Sequence, residues 1–294
     1  MNSEFTLYRE PSLRRPRLIV GLPDVGYVGL KVIDYIRGKL GAVEMGRIEP
    51  HRFSTVPWVS VANGVLRDVE LLRNGFYFWR NPGDGSDIVI FRSEQPTAKP
   101  YEYVEVILEV ARHIGVKRVY LVGSFGAVGA NHRETPTVLG VVNMPRLTPV
   151  LTEGGVEPYP EYKGIGTIHS SLLWLARSRG IEGVGLWSPM PHYIARLPFP
   201  WSNYPMAALS LVQKLNAIEE LGVDEEELGL QATRTEEEMG QIYEQLQEDA
   251  KSELVYPSTE RRPSYPEQGL SRMSDEDLKG MIKDIEDFFR KRKQ

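Results

Sequence analysis

Two stretches of the chain repeat one pattern, a helix with an apolar face followed by a strand rich in β-branched residues. They are ILEVARHIGVKRVYLVGS (107–124) and LLWLARSRGIEGVGLWSP (172–189). Gly115 and Gly180 stand where each helix must end, because glycine adopts the left-handed backbone of a helix cap at little cost. Helices that alternate with buried strands cover both faces of a largely parallel sheet. We interpret the stretches as a common unit written twice, rather than as an ancient duplication.

The stretch GLPDVGYVGL (21–30) lies between a predicted strand, RLIVGL, and a predicted helix that ends at Gly41. Glycines between a strand and a helix suggest a nucleotide site, but the dinucleotide fingerprint needs glycine where this chain has Asp24. The Gly-Lys-Ser/Thr of a phosphate-binding loop does not occur in the chain either. We therefore expect a turn in which Asp24 accepts backbone N–H groups of the helix. Gly26 and Gly29 would allow close packing of helix on sheet.

Residues 58–80 contain Asn-Gly pairs at 63–64 and 74–75. Asn-Gly between β-rich runs is a strong hairpin signal, because both residues tolerate a positive φ. This pattern predicts an antiparallel meander, followed by a central strand in SDIVIF (86–91). Together with the helix–strand units, it predicts an α/β fold with a mixed sheet in a three-layer αβα sandwich.

The chain has four predicted parts. Residues 1–222 form the αβα core and 223–254 a helical extension, with Asp224 as a cap. Residues 255–272 carry several prolines and form a linker. Residues 273–294 form an amphipathic helix with six large apolar residues on one face. We expect that face to dock, most readily across a subunit boundary.

Composition excludes several classes of function. The chain has no cysteine, which excludes disulfides, thiolate catalysis and Cys-ligated zinc. Its net charge of −5 argues against a nucleic-acid partner. No apolar run approaches the roughly 20 residues that cross a membrane, and the first 20 residues lack the apolar region of a signal peptide. We expect a cytoplasmic protein with no membrane partner. The spacing of the histidines predicts no metal site, and no cofactor site is predicted.

The loop 123–135, GSFGAVGANHRET, follows a predicted strand, and loops at such strand ends often hold ligands. His132 or Glu134 are the candidate acid or base there, and Ser124 is the candidate nucleophile, although it lacks the G-x-S-x-G frame. The alternative is a solvated loop whose side chains satisfy its own backbone, and we favour it. A candidate cleft at the carboxyl ends of the predicted strands contains five residues: Asp24, Gly26, Glu94, Gln95 and Asn131. Glu94 and Gln95 are alternatively caps of the helix that begins near Tyr101.

Several stretches, in this order, resemble the proteasome assembly chaperone 2 family of archaea and bacteria. They are GLPDVGYVGLKVIDYI, FYFW, DIVIFRSEQP, YEYVEVILEVARHIGVKRVYLVGSFGAV and GIGTIHSSLLWLARSRGIEGVGLW, and the resemblance spans about residues 16–250. It implies a sandwich of the phosphorylase/hydrolase-like type, assembled as a homo-oligomer that we expect to be a trimer or larger. It also implies protein–protein binding, with proteasome subunits as partners, rather than catalysis.

Two functions follow from these observations. The favoured one is an oligomeric, chaperone-like binding protein, because the sequence motifs do not pair a nucleophile with a base. The alternative is a hydrolase or phosphorylase-type enzyme that uses the loop 123–135 on a small substrate. Archaeal relatives that bind proteasome α-subunits can end in a hydrophobic–Tyr–any tail. This sequence has Lys293 in place of that tyrosine, so the resemblance does not predict docking through such a tail.

Overall fold

The structure is a computed structural model that describes residues 4–54, 58–70, 73–195 and 204–255. Its strands are β1 (Phe5–Leu7), β2 (Arg17–Gly21), β3 (Val43–Ile48), β4 (Trp58–Ala62), β5 (Val65–Glu70), β6 (Asn74–Trp79), β7 (Ile88–Ser93), β8 (Arg118–Ala127), β9 (Leu139–Val142), β10 (Glu157–Pro158) and β11 (Glu182–Pro191). Its helices are α1 (Val28–Leu40), α2 (Pro100–His113), α3 (Thr148–Glu153), α4 (Ile168–Ser178), α5 (His192–Ala195), α6 (Pro205–Glu219) and α7 (Glu226–Val255). By its internal contacts the chain divides into two compact units, Met1–Leu246 and Gln247–Gln294.

Nine strands form one mixed sheet in the order β1-β3-β6-β7-β2-β8-β11-β9-β10. The four strands β7, β2, β8 and β11 are neighbours and run parallel, while β6 runs antiparallel to β7. The carboxyl ends of the four parallel strands therefore lie at one edge of the sheet, which we call the carboxyl edge. This mixed sheet with helices on both faces confirms the predicted αβα sandwich.

Each face of the sheet carries its own apolar core. One core packs α1, α3, α6 and α7 on the sheet and contains Ile33, Tyr120 and Leu211. The opposite core packs α2 and α4 and contains Phe91 and Ile107. Alternate residues of a strand point to opposite faces, so a strand buried on both faces is apolar throughout. Ile88–Phe91 of β7 are all fully buried, which confirms that this run lies inside the sheet.

The predicted helix caps are present. Gly41, Gly115 and Gly180 each follow a helix and have φ of 62°, 81° and 71°. These are left-handed values that favour glycine. The carboxylate of Asp224 accepts the N–H of Glu226, the first residue of α7, at 3.0 Å. The helix that Asp224 caps, α7, spans Glu226–Val255.

The meander prediction is correct at one Asn-Gly pair and wrong at the other. Asn63 and Gly64 form the turn between β4 and β5, which pair only with each other among the described strands. Asn74 and Gly75 instead begin β6, where Asn74 pairs with Ser93 of β7. Sheet pairing overrides the turn preference at this position. The linker 255–272 and the helix 273–294 lie, apart from Val255, outside the described residues.

The opposite edge of the sheet, where the parallel strands begin, carries a partly buried ionic network. Arg17, Arg118 and Glu182 begin β2, β8 and β11 and lie side by side in register. Arg118 Nε donates to Glu182 at 2.8 Å, and Glu219 of α6 lies 3.5 Å from Arg17 and 3.8 Å from Arg118. The Tyr120 hydroxyl also donates to Glu219. The network ties three strands to one helix.

Candidate functional site

The sequence-predicted residues follow strands that end at the carboxyl edge. Asp24 follows β2, Glu94 follows β7, and Asn131 and His132 follow β8. In open α/β sheets, ligands bind at this edge. The geometry of each side chain shows how much of the edge is available to a ligand.

The Asp24 carboxylate connects the start of α1 to β8. It accepts the backbone N–H of Ser124 at 2.7 Å and that of Gly29, the second residue of α1, at 3.1 Å. The residue directly before α1 is Tyr27, whose φ is 55°, so Asp24 caps the helix from four residues before its first residue. This confirms that Asp24 accepts backbone N–H groups at the start of the helix.

Glycine at two positions makes this close arrangement feasible. A Cβ atom on Gly29 would lie 2.5 Å from the carbonyl oxygen of Val122, and one on Gly123 would lie 2.8 Å from Asp24 Oδ2. Gly29 therefore packs α1 against the sheet, as expected. Gly26 has a different role, because its φ of 68° places it in the turn. The Asp24 carboxylate occupies the N–H groups that a bound phosphate would need.

Burial raises the pKa of Asp24 to about 7, although the N–H groups of Gly29 and Ser124 favour the ionised form. A carboxyl group in little water is costly to ionise, and the two hydrogen bonds offset only part of that cost. Asp24 therefore titrates near neutral pH. Perturbed carboxyls occur both at functional sites and in structural networks, so this property alone assigns no role.

The three candidate catalytic residues make separate contacts. The Ser124 hydroxyl donates to the carbonyl of Val25 and lies 3.9 Å from the sulfur of Met190. Buried His132 forms a hydrogen bond through Nδ1 to the hydroxyl of Tyr193, and its backbone N–H donates to the same oxygen at 3.2 Å. Glu134 is exposed. None of these contacts places a base on the Ser124 hydroxyl, which nucleophilic catalysis requires.

The remaining candidate residues hold the loops in place. Glu94 accepts the backbone N–H of Arg73 at 3.1 Å, which ties the end of β7 to the residue before β6. Asn131 accepts the N–H of Arg133 at 3.1 Å, an Asx turn within the loop. Gln95 is exposed. The alternative role of Glu94 as a helix cap is not seen, because α2 begins at Pro100 after Lys99, with no side-chain cap.

An aromatic cluster near this edge was not predicted. Tyr159 contacts Phe125 and Trp187, with ring centroids 5.7 Å and 6.5 Å away, and the His169 ring lies 6.5 Å from Trp187. His169 is buried, its Nε2 has no hydrogen-bond partner among the residues that the structure describes, and burial lowers its pKa to about 4. It is therefore neutral at pH 7. The sequence places these residues on separate elements, and only tertiary packing brings them together.

Three large apolar side chains that are close to the cluster in sequence are exposed to solvent. Val128, Tyr162 and Ile165 are each at least 68% exposed, and we call these three residues the apolar rim. Tyr162 lies with its ring centroid 6.4 Å from that of Tyr159, and its hydroxyl donates to the carbonyl of Ile165 at 3.2 Å. Tyr162 and Ile165 therefore lie together, and exposed apolar side chains that lie together are typical of protein-binding surfaces.

A separate cleft of about 550 Å³ lies between α1 and the strands β3, β6 and β7. Its charged lining consists of Arg37, Arg47, Arg73, Arg92, Asp34, Glu44 and Glu49. Asp34 lies 3.3 Å from both Arg37 and Arg92, and the Arg37 guanidinium lies 4.8 Å from the centroid of the Tyr77 ring. Since the two signs of charge nearly balance, the cleft has no marked preference for an anion or a cation.

Two further features bear on function. Among the residues the structure describes, no three histidine, aspartate or glutamate side chains are grouped to hold a metal ion. No helix in the described part of the chain is long and apolar enough to cross a membrane.

Solved structures share this fold. An archaeal proteasome activator, PbaB of Pyrococcus furiosus, is 23% identical, with a TM-score of 0.68, over 81% of this chain and 98% of its own. A proteasome-assembly chaperone homologue of Mycobacterium tuberculosis is 19% identical, with a TM-score of 0.65, over 77% and 94%. A PAC2 family protein of Streptomyces avermitilis is 20% identical, with a TM-score of 0.67, over 77% and 95%.

At these identities the likeness establishes the fold alone. No curated protein matches the chain in sequence. The sequence model of the PAC2 family, in contrast, matches residues 18–243, which is most of the chain and includes the whole carboxyl edge. The chain therefore belongs to the PAC2 family.

Proposed function

We propose that this chain is a proteasome-assembly-chaperone-like protein that acts by binding other proteins, proteasome subunits among them. We propose further that it works as a homo-oligomer of three or more copies in the cytoplasm. Membership of the PAC2 family supports this role. Two of the solved structures that share its fold are described as an archaeal proteasome activator and a proteasome-assembly chaperone homologue.

The observation that carries the proposal is the contrast along the carboxyl edge. The buried polar side chains Ser124 and His132 are hydrogen-bonded within the fold, to Val25 and Tyr193. The apolar rim is instead open to solvent. Covering an aliphatic side chain contributes about 1.5–3 kcal/mol when it becomes fully buried. A surface of this type favours a protein partner over a small polar substrate.

The experiment is a binding measurement with purified proteasome α- and β-subunits. We expect the tagged chain to retain one of them at micromolar concentration. Ile165→Glu should weaken that binding at least tenfold, because it places a charge on a rim residue that is 90% exposed and so leaves the core intact. Glu161→Gln, on the same loop and also exposed, is the matched control and should bind normally.

The alternative hydrolase or phosphorylase activity is tested on the same preparations. We expect no turnover of ester, phosphate or nucleoside substrates. Failure of both subunits to bind, together with turnover that is lost in His132→Ala or Glu134→Gln, would reverse the proposal in favour of an enzyme.

A further inference from the structure

The strands β4 and β5 form a hairpin apart from the main sheet, which we call the 58–70 hairpin. Its turn residues Asn63 and Gly64 have φ of 53° and 73°, the left-handed pair of a type I′ turn. In the described part of the chain no third strand pairs with β4 or β5. Both outer edges therefore present backbone N–H and C=O groups that no described strand satisfies.

One face of this hairpin is aliphatic. The pairing of Val61 with Leu66, and the alternation along β4, place Val59, Val61 and Leu66 on the same face. These three side chains are 58–62% exposed. A two-stranded sheet on its own is marginally stable in water, and it gains stability when further strands or a packed face are added. A further strand or a surface packed on the aliphatic face therefore stabilises the hairpin.

The two outer edges differ in how they are protected. Along β5, Arg67, Asp68 and Glu70 are charged, and a bulge leaves Arg67 with no residue opposite it. Charges and bulges are the devices that block pairing at a sheet edge. Along β4, the residues Trp58 to Ala62 carry no charge and no proline. The edge of β4 is thus the one left open to another strand.

We propose that β4 pairs antiparallel with β4 of a second copy of this chain, about a two-fold axis at Ser60. Ser60 then lies opposite Ser60 of the second copy, and Val59 lies opposite its Val61. No like charges meet in this register, and the aliphatic faces of both hairpins join into one face of a four-stranded sheet. The inference rests on the homo-oligomer proposed above and assigns one of its contacts.

The symmetry of this contact limits the assembly. A two-fold contact joins copies in pairs, so the oligomer contains an even number of chains. A stable interface covers about 800 Å² on each partner, which is more than one strand pair supplies. The contact at β4 therefore fixes orientation and register, while other surfaces contribute the remaining buried area.

A cysteine placed on the axis reports the contact directly, because the chain has no cysteine of its own. Opposed residues of antiparallel strands have Cα atoms about 4.5–5.5 Å apart, within the range of a disulfide. We expect Ser60→Cys to form a covalent dimer under mild oxidation. Ala62→Cys is the control: it is equally exposed, but the proposed register separates the two copies of residue 62 by about 13 Å. Equal cross-linking of the two variants, or none in either, overturns the proposal.

Charge placed at Ser60 gives an independent readout. Within one chain Ser60 faces Asp68, so Ser60→Lys favours the hairpin itself but sets two lysines opposite each other at the axis. We expect sedimentation to show at most half the wild-type mass for this variant, and mixing it with Ser60→Glu should restore the full mass. Wild-type mass for Ser60→Lys alone contradicts the contact. If the wild-type chain is a monomer, both the homo-oligomer and this contact are wrong. If it is an oligomer and Ser60→Cys does not cross-link, only the contact at β4 is wrong.

Discussion

The carboxylate of Asp24 accepts the backbone N–H of Ser124 at 2.7 Å, across 100 residues of sequence. The same carboxylate accepts the N–H of Gly29 at the start of α1. One side chain therefore fixes the distance between α1 and β8. Three testable consequences concern this contact, and a fourth concerns the ionic network at the opposite edge of the sheet.

Replacing Asp24 should destabilise the protein. Asp24→Ala leaves the N–H groups of Ser124 and Gly29 without their acceptor, and we expect a loss of about 1–3 kcal/mol in the free energy of unfolding. Asp24→Asn should lose less, since its amide oxygen still accepts one of the bonds. Asp84→Ala, at a fully exposed carboxylate, is the control and should change little. Urea unfolding measures all three, and equal losses for Asp24→Ala and Asp84→Ala would contradict the cap.

The pKa of Asp24 also predicts a pH dependence. The folded protein holds this proton up to about pH 7, whereas the unfolded chain releases it near 3.8. Between these values the folded state binds more protons, so the contribution of Asp24 to stability falls as pH rises, by at most about 1.4 kcal/mol per unit. Asp24→Asn removes that contribution. Urea unfolding at several pH values from 4.5 to 8 should show wild type losing stability relative to Asp24→Asn, and parallel curves would refute the raised pKa.

Two glycines of α1 should respond oppositely to alanine. Gly29→Ala places a Cβ 2.5 Å from the Val122 carbonyl, so helix and sheet must separate, and we expect a loss of about 1–3 kcal/mol. Gly38→Ala meets no atom within 4 Å and should gain about 0.5–1 kcal/mol from helix propensity. Thermal unfolding of the two variants checks the sign of each change. A neutral Gly29→Ala would show that α1 does not pack as closely as the structure has it.

The ionic network at the opposite edge should be sensitive to the loss of one partner. The Glu219 side chain is 7% exposed and lies near Arg17 and Arg118, so Glu219→Ala removes the carboxylate beside Arg17 and leaves Arg118 with Glu182 alone. We expect a loss of about 3 kcal/mol in unfolding free energy. Glu105→Ala, in the exposed pair with Arg179, should lose less than about 1 kcal/mol. Similar losses from the two substitutions would show that the Glu219 contacts are as weak as surface pairs.

The local features of this protein were predictable from its amino-acid sequence alone. Apolar periodicity located α1, and Gly41, Gly115 and Gly180 marked helix ends, because a left-handed cap is a property of one residue and its neighbours. Alternating helices and strands predicted the αβα sandwich, because helices that connect parallel strands cover both faces of the sheet. The sequence also placed Asp24 correctly as an acceptor of backbone N–H groups, since the start of a helix always leaves such groups to be satisfied.

Other features depend on contacts between segments that are far apart in the sequence. Asn74 and Gly75 have the sequence of a turn, but their pairing with β7 makes them a strand. His169 and Trp187 became neighbours through the packing of α4 on β11. Ser124 and His132, close in sequence, were directed to Val25 and Tyr193 instead of to each other. Strand pairing, helix packing and side-chain hydrogen bonds set these outcomes, and local periodicity does not encode such contacts between distant segments.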